Sequence, residues 1–132
     1  MTERETEVRV LLDEWVTRVG QRDAAGVGAL YHPTAQFWGT LAGHVRDEPI
    51  EIRDYFEQFL DRHAISASIS NLCLRNQGDL VLAAGHYIFT WQDKSDSDEI
   101  KVRTRFTFVF GQPEGEWTIL QHHSSAWVLN GI

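Results

Sequence analysis

Cysteine is almost missing: Cys73 stands alone among 132 residues, so no disulfide can close within the chain and stability must come from an apolar core. Also missing is any uncharged apolar stretch approaching the roughly 18 residues that suggest a membrane span. The opening Met1-Thr2-Glu3-Arg4 carries none of the apolar core that a secretory signal needs. These absences predict a soluble protein of the reducing cytoplasm with no membrane partner. Positive charge is scarce as well, 12 Lys and Arg against 19 Asp and Glu for a net charge of −7, and the arginines are scattered rather than gathered into a stripe. Such a surface repels a phosphate backbone, which argues against nucleic acid as a partner.

What is present is a hydrophobic content of 42% in a length that suits one domain, 1–132, since a domain near this size can bury roughly two thirds of its unfolded surface without staples. Thr2 to Glu5 reads as a capping box, and Val8, Leu11, Leu12, Trp15, Val16 and Val19 follow on one helical face until Gly20. Asp23 can cap a stub of helix running to about Tyr31, weakened by Gly26 and Gly28. A short strand is expected from Ala35 to Trp38, then a loop through Gly39, Gly43 and His44. Asp47-Glu48-Pro49 supplies a cap, an acidic first turn and a proline at a helix start, and the helix that follows presents Ile52, Tyr55, Phe56, Phe59 and Leu60. From Ile65 the pattern changes to four strands, about 65 to 75, 79 to 91, 99 to 111 and 116 to 128. The fold class is therefore α+β, with N-terminal helices packed on a strongly curved mixed or antiparallel sheet.

Asn76-Gln77-Gly78 and Pro113-Glu114-Gly115 suit three-residue hairpin loops ending in a left-handed glycine, whereas Gln92 to Glu99 is a polar, acidic connection expected to be mobile. With Pro113 to Gly115 as the loop, Phe110 opposes Thr118, Phe108 opposes Leu120, Phe106 opposes His122 and Thr104 opposes Ser124. The other face then carries Val109 with Ile119, Thr107 with Gln121, Arg105 with His123 and Arg103 with Ser125. The aromatic face is the one expected under the helices.

Several stretches taken together resemble a known family: His32-Pro33-Thr34-Ala35, Phe37-Trp38-Gly39-Thr40-Leu41, and Arg46 to Phe56. More specific are Arg105-Phe106-Thr107-Phe108-Val109-Phe110, Trp117 and His122-His123-Ser124-Ser125-Ala126. These resemble the bacterial stand-alone relatives of the calcium/calmodulin-dependent protein kinase II association domain, in the nuclear transport factor 2-like superfamily, also described as cystatin-like or SnoaL-like. The resemblance covers nearly the whole chain. It implies a cone-shaped domain of three helices on a bent sheet, a deep pocket between them, and assembly into dimers or larger rings. Kinase activity and calmodulin binding do not carry over, because the sequence has neither a kinase domain nor a basic calmodulin-binding segment. Some kinase association domains place arginines in the pocket; the positions that align here are Ile88, Phe108 and Ser124.

The residues themselves leave two readings of the pocket. His122 and His123 are adjacent on a strand and point to opposite faces, so they cannot grip one ion. His86 is expected on the inner face with His122, about two strand spacings of ~4.8 Å away, with no cysteine or carboxylate near in sequence. Neither zinc nor any other metal or cofactor is expected, and Asp93 to Glu99 has the acids of a calcium loop without its central glycine. His122 and His86 are each either a hydrogen-bonded core histidine or a group that orients a ligand, and as a ligand group His122, whose unperturbed titration lies near pH ~6.5, should make ligand stabilisation vary between about pH 5 and 8, with burial or neighbours moving the midpoint. Enolising isomerases of this fold need a pocket carboxylate as base. Here the strand bodies supply almost none: between Ile65 and Trp91 the only acid is Asp79, and between Ile100 and Trp127 the only acids are Glu114 and Glu116, all at turns. Ser124 and Ser125 lack a nucleophile elbow.

No catalytic residue stands out; the candidates are His86 and His122. The ligand pocket is expected to comprise Trp38, Tyr55, Phe59, His86, Phe106, Phe108, His122 and Ser124. Tyr87, Phe89, Trp91, Arg105, Val109, Ile119, His123 and Trp127 are expected on the outer face as the contact between copies, a homodimer or larger homo-oligomer, because that patch would be too apolar for a monomer. The first reading is thus an oligomeric association-type domain holding a small organic ligand. The alternative is a SnoaL-like or ketosteroid-isomerase-like enzyme with a pocket histidine as general base.

Overall fold

The computed structural model describes residues 1–93 and 98–127. Helix α1 spans Glu3–Gly20 behind the expected capping box: the Thr2 hydroxyl accepts from the Glu5 amide, and the Glu5 carboxylate accepts from the Thr2 amide at 2.8 Å. Those bonds hold the Glu5 pKa below its usual value. Val8, Leu12, Trp15 and Val19 form its buried stripe. Helix α2, Ala24–Gly28, is the predicted stub, capped by Asp23 on the Gly26 amide. Helix α3, Pro49–Phe59, buries Ile52, Tyr55, Phe56 and Phe59, although Glu48 rather than Asp47 occupies the cap position and makes no side-chain cap bond.

Five strands form one sheet in the order β1-β5-β4-β3-β2: β1 Tyr31–Trp38, β2 Ser66–Gln77, β3 Leu80–Gln92, β4 Glu99–Gly111 and β5 Thr118–Ala126. The sheet is mixed, with β1 parallel to β5 and all other pairs antiparallel. β1 begins at Tyr31, four residues before the expected start; Tyr31, Ala35 and Phe37 share one parity and all reach the core, and the register with β5 shifts between Tyr31 and Gln36. The predicted end of the last strand, at residue 128, and most of the acidic connection before β4 lie outside the described residues.

The turns differ from expectation, and faces change with them. β2 and β3 are joined by two residues, Gly78 and Asp79, since Gln77 pairs Leu80; Gly78 takes φ +60, as the first central residue of such a loop requires. β4 and β5 begin pairing at Gly111 with Thr118, so Gln112 to Trp117 form a longer loop around Gly115. That alone would flip every β5 side chain. A bulge at Leu120 adds one more residue and restores parity, so Phe108 pairs His122 and Phe106 pairs Ser124, two residues off the expected register but on the expected face. Ile119, on the turn side of the bulge, pairs Phe110 and is buried inside rather than outside with Val109.

Candidate functional site

β3 reverses the expected facing. Tyr87 opposes Thr104 and His86 opposes Arg105, so the odd positions of β3 join the even positions of β4 under the helices. Tyr87 and Phe89 are therefore core residues, and Trp91 packs inward near Phe59. His86 lies on the outer face, its ring flat on Trp127 with centroids 4.6 Å apart. Trp38 also points outward; its neighbour Phe37 enters the core, and the Trp38 ring leans on His123 while its Nε1 donates to the Ala42 carbonyl. Of the expected pocket, the inner face keeps Tyr55, Phe59, Phe106, Phe108, His122 and Ser124. Of the expected contact surface, the outer face keeps Arg105, Val109, His123 and Trp127.

His122 stands at the centre of a buried polar chain. Trp15 Nε1 donates to the Tyr31 hydroxyl at 3.2 Å, the Tyr31 hydroxyl meets His122 Nδ1 at 2.7 Å, and the Tyr87 hydroxyl meets His122 Nε2 at 3.0 Å. Tyr87 donates to Ser124 Oγ at 2.6 Å, and Ser124 in turn meets Thr40 Oγ1. Donor counting sets one direction. The indole can only donate, so Tyr31 accepts from it and spends its own proton on Nδ1. Tyr87 spends its proton on Ser124 and must accept from Nε2, which fixes the Nε2–H tautomer; Ser124 then donates to Thr40. Each proton between Trp15 and Ser124 has an acceptor.

Around this chain the packing is dense. The imidazole stacks on Phe108 with centroids 3.8 Å apart and on Phe37 at 5.0 Å, while Trp15 meets it edge-on. His122 is 1% exposed. Burial first, and the neighbouring His123 second, hold its pKa well below the usual histidine value. Titration near pH ~6.5 is thus not what this site does: the ring stays neutral at physiological pH. Burial also pushes the Tyr31 and Tyr87 phenols up, so both remain protonated donors. Phe106 and Phe108 belong to the same packed core.

Tyr55 and Phe59 line an open cleft, and a second cleft of about 130 Å³ is lined by Gln36, Trp38, Val45, Gln121, His122 and His123. The first, of about 140 Å³ between α3 and the β1–α3 connection, is lined by Leu41, Ala42, Arg46, Tyr55, Gln58, Phe59 and Arg62. The Tyr55 hydroxyl accepts the Leu41 amide at 3.3 Å. Gly39 permits this placement, because a Cβ there would fall 2.3 Å from Tyr55 Cζ. Among the described residues no group of three or more His, Cys, Asp or Glu is arranged to hold a metal ion, and no helix is long and apolar enough to cross a membrane.

Residues 4–128 match the profile of the calcium/calmodulin dependent protein kinase II association domain. The chain belongs to that family. A Xanthomonas campestris structure described as such an association domain is 33% identical to this one, covers 93% of this chain and 87% of its own, and superposes with a TM-score of 0.84. A nuclear transport factor 2-like superfamily protein from Salmonella enterica is 13% identical, covering 96% and 93% with a TM-score of 0.83. A Caulobacter vibrioides protein with a cystatin-like fold is 14% identical, covering 98% and 93% at 0.81; these two show the fold alone. Among curated proteins none matches.

In this association domain Ile88, Phe108 and Ser124, the positions that the resemblance was expected to set against pocket arginines, do not share a surface: Phe108 and Ser124 are buried inside, and Ile88 is half-buried on the outer side of β3. Sequence reasoning missed Tyr31, which it left at a helix end, and Tyr87, which it turned outward. It also passed over Arg46 and Arg62. For Arg62 a signal existed: Arg9, Arg18 and Arg53 each have a carboxylate four residues away on their own helix, while Arg62 has Gln58 there.

Proposed function

We propose that this association domain assembles with copies of itself and holds a small organic ligand, without catalysis. The observation that carries the assembly is the outer face of the sheet. The helices pack on the other side, and the outer side presents Trp38 and Trp127 at 43% and 40% exposure, the first tilted against His123 and the second stacked on His86, together with the half-buried Ile88 and Val109. Large exposed aromatics gathered on one sheet face are costly to leave in water and favour closure by a second copy through a two-fold axis. Membership in an association-domain family supports the same reading.

Against the isomerase alternative stands the occupancy of His122. A general base needs a free lone pair facing its substrate, and the Nδ1 lone pair is taken by Tyr31. His86, on the other face, is stacked on Trp127 and cannot join it. Light scattering tests the assembly: the expected mass is a dimer or a larger multiple at micromolar concentration, and a monomer there overturns the reading.

A further inference from the structure

We propose that the cleft between α3 and the β1–α3 connection is a binding site for a small organic carboxylate, with Arg46, Tyr55 and Arg62 as its donors. This deepens, and rests on, the ligand half of the function proposed above. Arg46 spends one Nη1 bond on the Glu51 carbonyl at 2.8 Å, but its Nε is buried with no acceptor. A buried N–H without a partner is rare in folded proteins, and an acceptor that fills it is stabilising. Tyr55 is 7% exposed; its oxygen accepts from Leu41, and among the described residues nothing accepts its own proton. Arg62 reaches the same cleft, with Nη1 on the carbonyls of Gln58 and Phe59 and its guanidinium over the rings of Phe59 and Trp91 at 5.2 and 5.1 Å.

Neither arginine of the cleft is neutralised by a carboxylate, a condition shared with Arg4, Arg75, Arg103 and Arg105 elsewhere among the described residues. Arg9, Arg18, Arg22 and Arg53 are each paired with a carboxylate, whereas Arg46 and Arg62 have none among the described residues. No acid lines the cleft. Burial raises the Tyr55 pKa while the Leu41 amide and the charges of Arg62 and Arg46 pull it back, so the hydroxyl is a protonated donor at neutral pH within reach of both positive fields. Two guanidinium groups and a phenol, with the Gln58 carboxamide beside them and no carboxylate, favour an anion.

Size and walls select its class. Leu41, Ala42 and Phe59 make part of the lining apolar, and about 140 Å³ is the space of four or five waters, each taking about 30 Å³. A carboxylate on a stem of two or three carbons satisfies the donors and covers the apolar wall. A phosphate dianion would turn charged oxygens toward that wall.

The experiment is titration of the full chain with acetate, propionate, benzoate and inorganic phosphate, followed by calorimetry and thermal shift. Propionate is expected to bind saturably and more tightly than benzoate or phosphate. Arg46→Gln and Tyr55→Phe should each weaken it about tenfold, the scale of one hydrogen bond to a charged group. Arg46→Lys, which keeps the charge and loses Nε–H, should weaken it as well. Tyr55→Phe keeps the ring packing and answers the question even where an arginine variant fails to fold. No saturable binding by wild type, tighter binding of phosphate, or unchanged affinity in Tyr55→Phe and every folded Arg46 variant overturns the proposal. Light scattering of the same samples separates the two readings. A monomer that binds propionate refutes assembly alone, and an oligomer indifferent to all four compounds refutes the carboxylate site alone.

Discussion

The His86 imidazole lies parallel to the Trp127 indole, centroids 4.6 Å apart and planes within 10°, on the side of the sheet opposite His122. The two histidines that the sequence invites one to pair are therefore separated by the full thickness of the sheet, and each serves a different surface. His86 belongs with Trp127, Arg105 and Ile88 outside; His122 belongs with Tyr31 and Tyr87 inside.

The outer stack sets up the first prediction. Ile88→Glu adds a charge to the outer face without touching the inner core, so it should lower the assembly to monomers while changing the unfolding free energy of the monomer by no more than about 0.5 kcal/mol. Light scattering and urea melts at low concentration check both halves. An unchanged mass would place the contact elsewhere.

Stability should fall as pH drops below the ordinary histidine range. The folded-state pKa of His122 is depressed, by burial and then by His123, so above pH ~6.5 both folded and unfolded chains hold it neutral and nothing is lost. Below that value the unfolded chain takes up a proton that the folded chain declines, costing up to about 1.4 kcal/mol per pH unit until the folded pKa is reached. Urea melts between about pH 7.5 and 5.5 should show this slope in wild type and a shallower one in His122→Gln. Equal slopes would mean that the ring titrates freely in the fold.

Tyr87→Phe keeps the stacking on Trp15 and Phe106 but strips the acceptor from His122 Nε2–H and the donor from Ser124. Leaving buried groups without partners costs about 1–3 kcal/mol. Tyr31→Phe removes the donor to Nδ1 and the acceptor of the Trp15 indole, at a similar cost. Because the imidazole links the two hydroxyls, the double variant should depart from additivity by about 0.5–3 kcal/mol. Strict additivity in chemical denaturation would show that the chain does not act as a unit.

Gly39→Ala tests how Tyr55 is seated. The new Cβ would fall 2.3 Å from Tyr55 Cζ and 2.7 Å from its hydroxyl, so the ring must move, at about 1–3 kcal/mol. A lowered Tm is expected, and pairing the change with Tyr55→Leu should recover most of it. A loss that Tyr55→Leu leaves untouched would trace to the backbone instead.

The chain's own pattern determined the helices and most of the inner face. A capping box at Thr2 and Glu5 followed by Val8, Leu12, Trp15 and Val19 allows one reading only, because helical spacing puts these residues on a single stripe. β4 was equally legible: Phe106, Phe108 and Phe110 alternate with Arg105, Thr107 and Val109, and the phenylalanines are inside. β3 was not. Val81 to Ala84 and Tyr87 to Phe89 are apolar at both parities, so local alternation cannot say which side faces the helices. Only its pairing with β4, Gln92 on Glu99 and Tyr87 on Thr104, turns Tyr87 in and His86 out. The bulge at Leu120 and the early start of β1 are likewise answers to packing rather than to local preference, and they bring Tyr31 and Tyr87 to His122. Arg46 and Arg62 meet at Tyr55 for the same reason. Secondary structure is chosen by periods of a few residues, but a site is assembled from register across strands, and a slip of one residue there moves a side chain from core to solvent.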